Sequence, residues 1–156
     1  MPDASLEDIT KFLEAKRLAV VGVSRDPKHF SRALFREFVA QGYDAVPVNP
    51  QATEIEGRQC FPRIADVTPA VDAALLMTPS GTTNQALDEC NQADIRKIWI
   101  YKAVPDRETR EHAVEFCRQR GSAVIEGHCP FMFLPNPGLF HRLHRVLMKV
   151  AGSYPL

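Results

Sequence analysis

The chain lacks any apolar run approaching the roughly 18 residues that a membrane span needs. Its N-terminus, Met1-Pro2-Asp3-Ala4-Ser5-Leu6-Glu7-Asp8, is acidic where a secretory leader would be basic and then apolar. A membrane-spanning or exported protein is therefore not expected, and a cytoplasmic one is. Charge bias is also missing, since nineteen Lys and Arg balance nineteen Asp and Glu. The broad basic field of a dedicated nucleic-acid binder is absent, and any anion site has to be local. The four cysteines, Cys60, Cys90, Cys117 and Cys129, show neither CxxC pairing nor the His/Cys spacing of a zinc site, and no metal is expected. Cys60, Cys90 and Cys117 read as small buried hydrophobes, whereas Cys129 is set apart by its neighbours His128 and Pro130.

What is present is an ordinary globular composition, 45% apolar and 24% charged, in 156 residues without an internal repeat or low-complexity tract. That size suits a single domain over residues 1–156, with its core in 16–133. Ser5 and Asp8 form a capping signal before a short helix whose face is Leu6, Ile9, Phe12 and Leu13. The continuous apolar run 18–23 then reads as a strand buried on both faces, as strands of parallel sheets are. A loop over 24–30 follows, and Leu34, Phe35, Phe38 and Val39 recur at helical spacing from Ser31 until Gly42.

The alternation repeats with strands expected at 43–48, 71–77, 97–101 and 123–126, and helices at 82–93 and 106–120. Residues 59–61 read as a short strand and 62–66 as one helical turn. This pattern predicts an α/β fold: a doubly wound, mostly parallel sheet of about five strands with helices on both faces. From Gly138 an apolar stripe of Leu139, Phe140, Leu143, Val146, Leu147 and Val150 runs beside His141, Arg142, His144, Arg145 and Lys149. Residues 138–152 are expected to form an amphipathic helix that closes one face of the sheet, and a stripe this apolar also suits a homodimer interface.

In doubly wound sheets ligands bind outside the carboxyl ends of the strands, where strand order reverses. The loops at those ends gather Ser24, Arg25, Lys28, Ser31, Arg32, Asn49, Thr78, Ser80, Tyr101, Lys102, His128 and Cys129, a set of hydroxyls and cations suited to an organophosphate. A dinucleotide fingerprint would need glycine at 22, 24 and 27, but the chain has Gly22, Ser24 and Pro27. Asn49 also stands where an acid for the ribose of NAD is expected, so ordinary NAD binding is disfavoured. A helix beginning at Ser31 would still offer free amides and a positive dipole end to an anion, helped by Lys28 and Arg32.

Gly22-Val23-Ser24, Val48-Asn49-Pro50, Thr78-Pro79-Ser80 and His128-Cys129-Pro130 fall in order at successive strand ends. In these motifs, over roughly residues 16–133, the chain resembles the small Rossmann-like CoA-binding proteins, related to the N-terminal domain of the succinyl-CoA synthetase alpha subunit. The resemblance implies coenzyme A or an acyl-CoA as ligand. It implies that Gly22, Ser24, Arg25, Lys28, Ser31 and Arg32 hold phosphates, with Val48, Asn49 and Pro50 beside the nucleotide. Thr78, Pro79 and Ser80 would line the middle of the ligand, Lys102 the pantetheine arm, and Cys129 its far end. The chain departs from the synthetase at Lys28-His29-Phe30 and at Phe131, where the synthetase has glycines, and nothing matches the synthetase's second domain or partner subunit.

The leading expectation is a free-standing, non-catalytic CoA-binding module that carries, buffers or senses its ligand. The alternatives are an acyl- or thiol-transfer enzyme assisted by Cys129 or Lys102, a nucleotide-dependent oxidoreductase, and a protein-interaction module working through the basic C-terminal helix. Catalysis by His128 and Cys129 as a pair is not expected, because adjacent residues of an extended segment point to opposite sides.

Overall fold

The described residues form seven strands, β1 (Arg17–Val21), β2 (Asp44–Val48), β3 (Glu54–Ile55), β4 (Arg58–Gln59), β5 (Ala73–Leu76), β6 (Lys97–Ile100) and β7 (Val124–Glu126), of which β1, β2, β5, β6 and β7 are the expected apolar runs. The computed structural model describes residues 4–79 and 81–134. The expected C-terminal helix over 138–152, and with it the suggested dimer stripe, lies outside the described residues. Strands β2-β1-β5-β6-β7 pair in that order, each pair parallel. Among the described residues four α-helices accompany them: α1 (Leu6–Leu13) before β1, and α2 (Phe30–Ala40), α3 (Thr83–Gln92) and α4 (Arg107–Gln119) between strands.

Alternation along each strand divides the core between the two faces of the sheet. Leu18, Val20, Leu75, Trp99 and Ile125 meet Ile9 and Phe12 of α1 and Leu34, Phe35 and Phe38 of α2 on one face. Ala19, Val21, Leu76, Ile98 and Ile100 meet Leu87 and Cys90 of α3 and Cys117 of α4 on the other. This is the three-layer arrangement that the sequence predicts. Its first helix is held by the reciprocal cap expected of Ser5 and Asp8: the Asp8 N–H donates to Ser5 Oγ, and Asp8 Oδ2 accepts from the Ser5 N–H.

The region between β2 and β5 differs from expectation. The short strand anticipated at 59–61 splits into a hairpin strand, β4, and a single parallel bridge between Phe61 and Val48. The Phe61 N–H donates to the Pro47 carbonyl at 3.1 Å, and the Asn49 N–H to the Phe61 carbonyl at 2.9 Å. With that bridge as a one-residue strand outside β2, the sheet has the dinucleotide-fold order 3-2-1-4-5-6. The hairpin β3–β4 is the element that sequence reading missed. Its turn residues Glu56 and Gly57 both have positive φ, 51° and 71°, the geometry that tight hairpin turns need. The anticipated turn at 62–66 is a short 3-10 helix, Ile64–Asp66.

Strand β1 stops at Val21, two residues before the end of its apolar run, because Gly22 turns the chain at φ 89°. The Gly22 N–H is held by the Val48 carbonyl at 3.0 Å, and a Cβ at this position would sit 2.5 Å from the Met77 carbonyl oxygen. Close approach of the ends of β1 and β5 is thus what demands glycine here.

Candidate functional site

The carboxyl ends of β1, β2, β5 and β6 open onto one cleft of about 930 Å³. It is lined by Val21, Gly22 and Ser24 after β1, by Val48, Asn49, Pro50 and Gln51 after β2, by Met77, Thr78 and Pro79 after β5, and by Lys102 after β6. Its centre is the switch point between β1 and β5, from which the connections wind in opposite directions.

The first loop is built by its own side chains. Ser31, buried at the start of α2, receives the Ser24 N–H on its hydroxyl at 2.9 Å. Ser24 Oγ in turn accepts the Asp26 N–H at 3.1 Å, and Asp26 Oδ1 accepts the Lys28 N–H at 2.9 Å. Helix α2 begins one residue earlier than expected, at Phe30, with His29 as its cap. The His29 Nδ1 accepts the Ser31 N–H at 3.1 Å and lies 2.8 Å from Ser31 Oγ. The amide that sequence reading left free at Ser31 is therefore engaged by an imidazole, and the imidazole lines the cleft.

Among the cations expected around the phosphates, Arg32 has a different surrounding from the one anticipated. Its guanidinium is turned to Glu56 of the β3–β4 hairpin, at 2.5 Å from Nη2, and to the carbonyls of Ser24 and Arg25, at 3.2 and 3.0 Å from Nη1. Arg32 does not line the cleft, and neither do the exposed Arg25 and Lys28. The neighbouring guanidiniums hold the Glu56 carboxyl below its ordinary range, Arg32 foremost and then Arg36.

The remaining expected residues divide between structural and open roles. Asn49 uses its amide to join the first two strand ends: Nδ2 donates to the Val23 carbonyl at 2.8 Å, and Oδ1 accepts the Gln51 N–H at 2.8 Å. The buried Thr78 hydroxyl pairs with that of Thr83 at 2.8 Å. Ser80 lies outside the described residues. Lys102, with φ 54°, places its ammonium 4.1 Å from the centre of the Phe30 ring, a cation–π contact at the cleft wall. His29, Phe30, Pro62, Arg63, Thr82, Gln85, Ala86 and Glu89 also line the cleft; of these, His29 and Phe30 were named from sequence. Glu89 is carried there by α3, where its carboxylate accepts from the Ile64 N–H at 3.2 Å and from Gln85 Nε2 at 3.0 Å.

Cys129 is not part of the cleft lining. Its thiol shares a hydrogen bond with the Tyr101 hydroxyl, whose titration burial pushes well up from its ordinary value. His128 goes elsewhere: it is buried, its ring lies edge-on to Phe133, and its carbonyl accepts the Trp99 indole N–H at 2.9 Å. The two side chains thus have different neighbours, as an extended segment requires. Burial raises the Cys60 and Cys90 thiols, and raises Cys117 to about 11, while Cys129 is partly exposed. Exposure and thiolate availability decide thiol exchange. Oxidised coenzyme A should therefore exchange at Cys129 before the other three, releasing one CoA thiol for each mixed disulfide formed. Peptide mapping checks this, and modification spread over several cysteines would refute it.

An open parallel sheet with helices on both faces and a cleft at its switch point defines a doubly wound, Rossmann-like α/β protein. Within that class the assignment is specific: residues 16–135 match the CoA binding domain family, and the chain belongs to it. It is 27% identical over 126 residues to the alpha subunit of ADP-forming acetate–CoA ligase II of Pyrococcus furiosus, a match that covers 76% of this chain and 27% of that protein. It is 25% identical over 130 residues to the uncharacterized protein YneT of Bacillus subtilis, covering 83% of this chain and 93% of that protein. Among solved structures, the cell-free ID.343 protein of Thermus thermophilus superposes with a TM-score of 0.67 at 25% identity, covering 79% of this chain and 91% of the other. The chain spans about a quarter of the length of the ligase subunit that it matches. Among the described residues, no helix is long and apolar enough to cross a membrane, and no cluster of three metal-ligating side chains occurs.

Proposed function

We propose that this protein is a cytoplasmic, non-catalytic binding module for coenzyme A or an acyl-CoA, held in the cleft at the carboxyl edge of its sheet. The observation that carries the reading is the cleft itself, at the switch point of a chain that belongs to the CoA binding domain family. The residues present fit such a cofactor. A volume of about 930 Å³ lies toward the upper end of the range of small-molecule sites, roughly 300–1,000 Å³. The apolar walls from Val21, Val48, Pro50, Met77 and Pro79 suit an adenine ring and a pantetheine arm. The positive dipole end of α2, which borders the cleft through His29, Phe30 and Ser31, suits the phosphates, and the exposed Lys28 and Arg25 add charge on the loop before it. Lys102 stands at the β6 side of the cleft, where the arm would run.

A binding role is favoured over chemistry because the cleft's acid and base are already engaged. Glu89 accepts two hydrogen bonds, the His29 Nδ1 accepts the Ser31 amide, and the one partly exposed thiol is paired with Tyr101 outside the cleft. Calorimetric titration with CoA, acetyl-CoA, NAD and ATP at fixed salt tests the reading. CoA should bind well ahead of NAD, and an acyl-CoA should be recovered with its thioester intact. NAD binding equal to or tighter than CoA binding, or turnover of the thioester, would overturn it. Replacing Lys102 by Ala should weaken CoA binding about tenfold, the equivalent of one charge-assisted contact. Its melting temperature should hardly move, since Lys102 is exposed.

A further inference from the structure

The loop that would meet the phosphates owes its shape to a carboxylate on a different element. Glu56, at the tip of the β3–β4 hairpin, binds two arginines of α2 through one oxygen: Arg32 Nη2 at 2.5 Å and Nε at 3.0 Å, and Arg36 Nε at 2.9 Å. Both guanidiniums use their remaining donors on the loop. Arg32 Nη1 holds the carbonyls of Ser24 and Arg25, and Arg36 Nη2 holds that of Pro27 at 2.9 Å. In a trans peptide the C=O and the following N–H point in opposite directions. Three carbonyls drawn to the guanidiniums therefore turn the N–H groups of Arg25, Asp26 and Lys28 to the other side of the loop. Two of these amides are met by Ser24 Oγ and Asp26 Oδ1. The Arg25 N–H has no acceptor among the described residues.

We infer that Glu56 is a positioning residue for the anion site: acting through Arg32 and Arg36, it sets the course of the phosphate loop and aims the one amide left open there, that of Arg25. The inference rests on the CoA reading for its ligand but not for its geometry. It also gives Arg32 a role opposite in consequence to direct phosphate contact. If Arg32 bound phosphate itself, removing the Glu56 charge would free a cation and tighten binding. As a clamp, the same change loosens the loop and weakens binding, although the protein becomes more positive.

The test uses the full chain carrying Glu56→Gln or Arg32→Lys. The second substitution keeps the charge but loses the planar fork that spans a carboxylate and two carbonyls. Both variants should bind CoA about tenfold more weakly than the parent. ADP, which shares the diphosphate, should lose as much as CoA does. Hydrogen exchange in the ligand-free protein should speed up over residues 24–29 while the strands keep their protection, which separates positioning from general destabilisation. Unchanged or tighter CoA binding by Glu56→Gln, or unaltered exchange over 24–29, would overturn the inference. A parent protein that binds no CoA would instead refute the proposed function, and the exchange measurement alone would then decide the clamp.

Discussion

Gly22→Ala is expected to destabilise the protein by about 2–6 kcal/mol and to remove the proposed CoA binding with it. A residue with a side chain at φ 89° carries backbone strain, roughly 1–3 kcal/mol. The added methyl would stand 2.5 Å from the Met77 oxygen and 2.8 Å from its carbonyl carbon. These are backbone atoms of a central strand end and cannot rotate away, and overpacking of this kind adds about 1–3 kcal/mol. For a chain of this size, at about 2–4 °C per kcal/mol, the melting temperature should fall by roughly 4–24 °C. Urea unfolding and a thermal melt measure both quantities. A Gly22→Ala variant within about 0.5 kcal/mol of the parent would show that β1 and β5 do not approach as described.

Trp99→Ala should have an effect of similar size for a different reason. The indole is fully buried in the face shared by α1 and α2, edge-on to Phe12 with ring centres 5.3 Å apart. Truncation of a buried Trp costs about 3–5 kcal/mol in transfer and cavity terms. The indole N–H is also the donor to the buried His128 carbonyl, so the variant leaves an acceptor without its partner, at roughly 1–3 kcal/mol when no water replaces it. Because that bond ties β6 to the turn carrying Cys129, alkylation of Cys129 should accelerate together with the loss of stability. Trp99→Phe keeps much of the volume and loses the hydrogen bond, so it should fall between the parent and Trp99→Ala. Alkylation of Cys129 at the parental rate in Trp99→Ala would separate the indole from the turn.

The expected strands were found because parallel strands covered on both faces must be apolar throughout, and the runs containing Leu18, Val46, Leu75 and Ile98 carry that mark. The ends of those runs name the loops, and the loops name the cleft. Ser24, Ser31, Asn49, Thr78 and Lys102, anticipated from position, and Gly22, Val48, Pro50 and Pro79, implied by the family resemblance, all border it. The strand outside β2 was less legible. Most of that segment is spent on a hairpin whose signal is the turn Glu56-Gly57, and a single bridge at Phe61 leaves no periodicity to read.

Sequence by itself determined the alternation of strands and helices, the helix α1 cap and the edge of the sheet where a ligand belongs, because each follows from local periodicity or from neighbours a few residues apart. Only the tertiary structure decided what each charged or polar group does there. Arg32 and Lys28 carry the same charge in one loop and helix start, yet Arg32 is committed to Glu56, 24 residues away, while Lys28 remains exposed at the loop surface. Glu89 and Arg63 reach the cleft from elements whose placement depends on packing. Cys129 follows its strand to Tyr101 rather than into the cleft. Charge and residue type are properties of the chain, but a partner is a matter of distance, and distance between residues far apart in sequence is set by how the layers close on one another.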